Sequence, residues 1–126
     1  MRARIGLDQA HWCISGAAPA SPEVLHYFVG LGLPVNEGWG MSEASGIATI
    51  NPMSDIRVGT VGRALPGVEV KLDHDGEFLV RAPLVMKGYR NDPARTAEAI
   101  DADGWLHTGD IAAIDGDGYV TIVDRK

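Results

Sequence analysis

The hydrophobic and polar positions change rhythm about half-way along the chain. Trp12 to Ser15 is a short apolar run that predicts a buried strand, closed by the small residues Gly16-Ala17-Ala18-Pro19. Ser21-Pro22-Glu23 reads as a helix start. The Ser21 side chain can accept from unpaired N–H groups, Pro22 suits the first helical position, and Glu23 suits the positive dipole end. Val24, Leu25, Phe28 and Leu31 then recur at helical spacing until Gly30 and Gly32 stop the helix. Pro34-Val35-Asn36 opens a second strand that runs into Gly38-Trp39-Gly40. Strand, helix and strand at this spacing predict a parallel βαβ unit.

Near Gly59 the pattern switches to alternation. Val68, Val70 and Leu72 alternate with Glu69 and Lys71, Asp73 to Gly76 makes a turn, and Glu77 to Arg81 returns as the partner strand. A second hairpin is expected from Ile111 to Ile114, a turn at Asp115 to Gly118, and Tyr119 to Val123. Between the hairpins, Asp92-Pro93 caps a short helix that runs through Ile100. The predicted fold is therefore α/β plus antiparallel β, a βαβ segment followed by a small, distorted β-barrel.

Charge narrows the function. The 126 residues carry a formal net charge of −6, and no basic patch occurs in either half. Such a chain repels phosphate backbones, which argues against nucleic acid as a partner. No apolar run approaches the roughly 20 residues that span a bilayer. The basic start, Met1 to Arg4, has no apolar signal core behind it. The single cysteine, Cys13, forms no intrachain disulfide and reads as a small buried hydrophobe. These features fit the cytoplasm, free or peripheral to a membrane.

Three Asp-x-Asp-Gly stretches fail as EF-hand loops: counted from Asp115, Asp101 and Asp73, the twelfth positions are Lys126, Ala112 and Leu84. Gly38-Trp39-Gly40 is no dinucleotide fingerprint, because Glu43 stands where a third glycine belongs. None of the four histidines has metal-ligand spacing with Cys13.

Two clusters and the chain end carry chemistry. In Gly38 to Glu43, the glycines admit a ligand to the backbone and Trp39 offers a face to a flat base. Ser42 can donate to a phosphate oxygen, and Glu43 is a hard ligand for Mg²⁺. The same residues also suit a turn with a packed Trp and a solvated Glu. In Gly104 to Asp110, the Asp110 carboxylate behind a tight glycine turn can accept ribose hydroxyls, or simply stabilise the turn. In Asp124-Arg125-Lys126, Arg125 can grip ribose or phosphate, or belong to a frayed charged terminus.

Taken in order, these segments resemble the adenylate-forming superfamily of acyl-CoA synthetases, adenylation domains and luciferases. The resemblance runs through Ser15 to Pro19, Gly38 to Glu43, Gly59 to Arg63 with Pro66-Gly67, Gly76-Glu77, Gly88-Tyr89, Gly104 to Asp110 and Gly116 to Lys126. It implies that Gly16, Ala17 and Ala18 sandwich an adenine against Trp39, where most members have Tyr. It further implies nucleotide contacts along Gly38, Gly40 and Met41, an α-phosphate contact from Ser42, Mg²⁺ at Glu43, and ribose hydroxyls held by Asp110 and Arg125. Acyl chains in such enzymes pass near the wall from Ser15 to Pro19. Asp124-Arg125-Lys126 resembles the acyl-CoA ligase branch rather than peptide-synthetase domains, which show Gly-Arg there. Ser15 to Pro19 with Trp39 to Glu43 leans toward long-chain fatty acyl substrates.

The resemblance implies ATP (or AMP) and Mg²⁺ as cofactors, with fatty acid and CoA as substrates of the whole enzyme. Members are several times longer, so the chain reads as the closing part of their large N-terminal domain. On that reading residues 1–58 form an α/β segment with part of the AMP site. Residues 59–124 form a barrel-like subdomain, and residues 125–126 begin a hinge to a lid domain. The Ser/Thr/Gly-rich phosphate loop is expected before residue 1, and the catalytic Lys beyond residue 126. A complementary N-terminal chain is then an expected partner. The contrasting expectation is a noncatalytic remnant that binds nucleotide or such a chain without turnover.

Overall fold

In the computed structural model, which describes residues 2–126, strand β1 (Cys13–Ser15) lies parallel to β2 (Val35–Met41). Cys13, Ile14 and Ser15 stand opposite Val35, Asn36 and Glu37, and helix α1 (Pro22–Gly30) makes the crossover, so the expected βαβ unit forms. Met1, at the head of the basic start, lies outside the described residues. Pro22 occupies the first turn, but the Ser21 side chain makes no capping bond; its carbonyl alone accepts from Leu25, at 3.1 Å. The helix ends as the glycines suggest: the N–H groups of Gly32 and Leu33 return to the carbonyls of Val29 and Phe28, each at 2.9 Å.

The strand at Trp12 to Ser15 is not buried as its composition predicts. Trp12 is 52% exposed and Ile14 41%, because β1 is the edge of its sheet and pairs only with β2. Cys13 is half-buried rather than enclosed. On α1, Leu25 points into the core while Val24 and Tyr27 face outward.

After β2 the chain makes a 3₁₀ turn at Ser42–Ala44 and returns as β3 (Gly46–Ile50), antiparallel to β2. A two-residue strand, β4 (Arg63–Ala64), closes this sheet in the order β1-β2-β3-β4. The β2–β3 hairpin depends on Gly40. A Cβ at this position would stand 1.6 Å from the Gly46 carbonyl oxygen, so any side chain forces the strands apart.

The second sheet, in the order β5-β6-β7-β8, is an open, curled antiparallel half-barrel. Its first hairpin follows the alternation, with β5 (Glu69–Leu72) and β6 (Glu77–Arg81) setting Val70 opposite Val80. Its second hairpin is longer than expected. β7 runs Leu106–Ile114 and β8 runs Val120–Arg125, so His107 to Asp110 are strand residues rather than part of a turn. Register shifts at Glu77/Leu79 and at Ile111/Ala112 absorb the irregularity around Gly109. Helix α2 (Pro93–Ala99) is capped as predicted, with the Asp92 carboxylate accepting from the Arg95 N–H at 3.0 Å.

The sheets share one core. Trp39 and Ala48 from the first, with Ala44 of the 3₁₀ turn, pack with Phe78, Val80, Leu106, Ala112 and Val120 from the second and with Val68 just before β5. Burying each large member of this set stabilises the fold by roughly 1.5–3 kcal/mol. Backbone bonds of 2.8 Å from Val61 to Val120 and from Val120 to Gly62 tie the loop after β3 to β8. The buried Tyr119 ring lies between the guanidiniums of Arg57 and Arg63, at 3.9 and 4.4 Å, and completes that tie.

Candidate nucleotide-binding cleft

Parallel βαβ units leave a crevice beyond the carboxyl ends of their strands, and here the second sheet forms its far wall. A cavity of about 370 Å³ opens between the two. The turn from Ser15 to Pro19 after β1 forms one side, and Gly38 to Met41 of β2 form the floor. Thr108 and Asp110 of β7 and Ile122 to Arg125 of β8 form the opposite side. Among the residues singled out in the sequence, Gly16, Ala17, Ala18, Gly38, Trp39, Gly40, Met41, Asp110 and Arg125 all line this one space. Ala17 takes a left-handed conformation, φ 69°, at the head of the β1–α1 turn.

Trp39 and Asp110, 71 positions apart, are bonded directly: the indole Nε1–H donates to the Asp110 carboxylate at 2.7 Å. Trp39 is only 8% exposed and stands edge-on to Phe78, with centroids 4.9 Å apart at 85°. Its ring is therefore fixed by packing on one side and by a charge-assisted bond on the other. Asp110 is oriented in turn. Its own N–H donates to the Thr108 hydroxyl at 3.1 Å, and that hydroxyl donates to the Phe78 carbonyl at 2.6 Å. Oδ2 of Asp110 serves the indole, while among the described residues Oδ1 has only the Arg125 guanidinium, 3.9 Å away, which is beyond a hydrogen bond. The Arg125 side chain is 77% exposed, so this ion pair contributes little stability and leaves the guanidinium available to a ligand.

Glu77 supports the same strand from behind. In the sequence it opens a strand and belongs, as Gly76-Glu77, to the series of segments that carries the resemblance, with no role of its own assigned. In the fold its side chain is 7% exposed and accepts from the Gly109 N–H at 2.9 Å, His107 Nδ1 at 3.2 Å and Lys126 Nζ at 3.1 Å. Burial pushes this carboxyl up, but the bonds from Gly109, Lys126 and His107 together outweigh it and hold it below the ordinary glutamate range. Asp73, Glu77 and His107 bring potential ligand atoms within 4.8 Å of one another. The Lys126 ammonium already pairs with Glu77 and with Asp75, so one cation of the chain itself occupies the edge of this cluster.

Ser42 and Glu43 lie outside the main cavity. Ser42 is exposed and lines a neighbouring groove of about 330 Å³, which shares Gly16, Ala17, Gly38, Gly40 and Met41 with it. Glu43 is half-buried on the 3₁₀ turn, where Oε1 accepts from the Tyr89 hydroxyl at 2.7 Å. Among the described residues Oε2 has no hydrogen-bond partner. One hard carboxylate oxygen, next in the chain to the groove-lining Ser42, suits Mg²⁺, which takes one or two carboxylates and completes its shell with water and phosphate oxygens.

Residues 3–90 match the family described as AMP-binding enzyme. The chain belongs to that family. Across its full length it is 58% identical to a Mycobacterium tuberculosis (strain ATCC 25618 / H37Rv) protein carrying the provisional name fatty-acid–CoA ligase fadD11, and it spans 22% of that protein. The fold is similar to the anthranilate CoA ligase AuaEII in complex with anthranoyl-AMP, with TM-score 0.86, 25% identity, and coverage of 94% of this chain and 25% of that one. It is also similar to the N-terminal domain of FACL13 from Mycobacterium tuberculosis, with TM-score 0.83, 28% identity, and coverage of 98% and 35%. The chain therefore has the architecture of part of the N-terminal domain of adenylate-forming enzymes. It contains, among its described residues, no helix long and apolar enough to cross a membrane.

Proposed function

We propose that the chain supplies the adenine, ribose and Mg²⁺ contacts of an ATP-dependent fatty acid–CoA ligase, which joins a fatty acid to CoA through an acyl-adenylate. The observation that carries this reading is the convergence of Gly16 to Ala18, Gly38 to Met41, Asp110 and Arg125 on one cavity. The small residues at 16–18 admit a flat base to the backbone, and the edge of Trp39 borders it. Asp110 Oδ1 accepts from a ribose hydroxyl, and Arg125, mobile on its exposed stem, closes over the ribose or phosphate. Ser42 donates to the α-phosphate from the adjoining groove. Glu43 holds Mg²⁺, which neutralises phosphate charge when bound. The fatty acyl substrate is supported by the name of the Mycobacterium tuberculosis relative, and the wall from Ser15 to Pro19 borders its path. Within this reading residues 1–58 are the α/β segment, 59–124 the barrel-like subdomain and 125–126 the start of the hinge. The location is cytoplasmic, free or peripheral to a membrane, and the partner of the isolated chain is a complementary N-terminal segment.

The test uses a hybrid enzyme in which these 126 residues replace the matched stretch of the Mycobacterium tuberculosis relative. The hybrid is expected to release pyrophosphate from ATP only when fatty acid is added, and then to form acyl-CoA. Adenylation of amino acids or aryl acids with no response to fatty acids of any length would overturn the assignment.

A further inference from the structure

We propose that Tyr89 is a positioning residue for Glu43: its hydroxyl holds one carboxylate oxygen and leaves the other free for the divalent cation that accompanies the nucleotide phosphates. The proposal rests on the metal-ligand reading of Glu43 above and adds to it a residue from the other half of the chain.

The geometry points to Tyr89 because everything around it serves to fix its hydroxyl. The segment from Leu84 to Tyr89, between β6 and α2, lies against the 3₁₀ turn that carries Ser42 and Glu43. It grips that turn by its backbone twice. The Met86 N–H donates to the Glu43 carbonyl at 2.7 Å, and the Ser45 hydroxyl donates to the Leu84 carbonyl at 2.7 Å. The third contact, from the Tyr89 hydroxyl to Glu43 Oε1 at 2.7 Å, is made to the side chain. Backbone ties alone place the turn; a bond to Oε1 sets the rotation of the carboxylate, which decides where Oε2 goes.

Tyr89 is itself anchored to α2. Its N–H donates to the Thr96 hydroxyl at 2.9 Å, and that hydroxyl donates to the Asp92 carbonyl at 2.8 Å. The Arg95 guanidinium stands 5.1 Å from the Tyr89 ring centroid. Gly88 makes the approach possible, since its φ is +146° and a Cβ there would come within 2.7 Å of the Thr96 side chain. Gly88-Tyr89 and the Asp92-capped helix thus become one device whose output is the orientation of Glu43. Partners that orient a ligating side chain matter nearly as much as the ligand, and losing one costs about 10–100-fold in metal affinity. With a single protein carboxylate on the cation, few other ligands compensate.

The hybrid enzyme described above provides the test, with Mn²⁺ as probe. Free Mn²⁺ is followed by electron paramagnetic resonance in the presence of AMP, and the Mg²⁺ activation constant is taken from pyrophosphate release at saturating ATP. Tyr89→Phe is expected to raise both the Mn²⁺ dissociation constant and the Mg²⁺ activation constant about tenfold. Its kcat should recover at high Mg²⁺, and its circular dichroism should not change. Glu43→Gln should raise the dissociation constant at least as far. The double variant should bind Mn²⁺ no more weakly than Glu43→Gln alone, because Tyr89 acts only through Glu43. If Glu43→Gln weakens Mn²⁺ binding and Tyr89→Phe does not, the positioning role is wrong and the metal reading survives. Additive penalties in the double variant would also overturn it, since Tyr89 would then act through the fold at large. If Glu43→Gln itself leaves Mn²⁺ binding unchanged, the metal reading of Glu43 falls and the role of Tyr89 with it.

Discussion

Replacing Asp110 by Asn and by Ala separates recognition from structure at the centre of the cleft. Oδ2 of the native carboxylate accepts from the Trp39 indole at 2.7 Å, while among the described residues Oδ1 has no hydrogen-bond partner, and Asp110 lines the cavity. Asn keeps the shape and can turn its carbonyl oxygen to the indole, so only the charged acceptor facing the ligand is lost. A hydrogen bond to a charged group contributes about 1.5–3 kcal/mol, and at about 1.4 kcal/mol per decade Asp110→Asn should weaken nucleotide binding roughly tenfold to a hundredfold. Its melting temperature should stay close to the parent value. Ala loses the same contact and also strands the indole N–H of a residue that is only 8% exposed. An unsatisfied buried donor costs about 1–3 kcal/mol, so Asp110→Ala should match Asn in affinity loss and be destabilised as well. The assay pairs the ATP KM and fatty-acid KM of the hybrid enzyme with thermal melts of the same variants. The fatty-acid KM should change little at saturating ATP. An Asp110→Asn enzyme with unaltered ATP KM, beside a destabilised Asp110→Ala, would show that Asp110 only braces Trp39 and would refute the ribose assignment.

Gly40→Ala should separate β2 from β3 and cost about 3 kcal/mol or more, read by chemical denaturation, because its Cβ would overlap the Gly46 carbonyl. Acid should weaken the fold through Glu77. Its folded pKa lies below the usual glutamate value, so its contribution is complete above about pH 4.3 and disappears as pH falls through the folded pKa. Glu77→Gln should flatten that acid limb, and an unchanged pH–stability curve would contradict the network at Gly109, His107 and Lys126. Tyr119→Phe should cost about 1–2 kcal/mol in melts by removing the hydroxyl bonded to Asp55, at 2.7 Å to its carbonyl and 2.8 Å to its carboxylate. It keeps the ring between Arg57 and Arg63 and should leave the ATP KM of the hybrid unaltered.

The βαβ unit, the first hairpin and the capped helix α2 were legible in the sequence, because each depends on neighbours in the chain, and the family was legible from the ordered series of segments along it. Alternation at Val68, Val70 and Leu72 sets a sheet face, and Asp92 before Pro93 serves a donor three residues on. The segments that line the cleft were legible through the family resemblance they carry together, since taken singly each also suits an ordinary turn. Burial was misread at Trp12 and Ile14. Composition says that such residues prefer to be covered, but only strand order decides whether a neighbour lies there to cover them. The hairpin of β2 and β3 was missed because Gly38, Gly40 and Gly46 carry no side chains and leave no alternation to read. The contacts that Asp110, Glu77 and Tyr89 make within the fold were beyond any local pattern. Their partners stand 71, 30 and 46 positions away at Trp39, His107 and Glu43. A carboxylate's identity is written in the sequence, but which of its oxygens is already engaged depends on what the folded chain brings beside it.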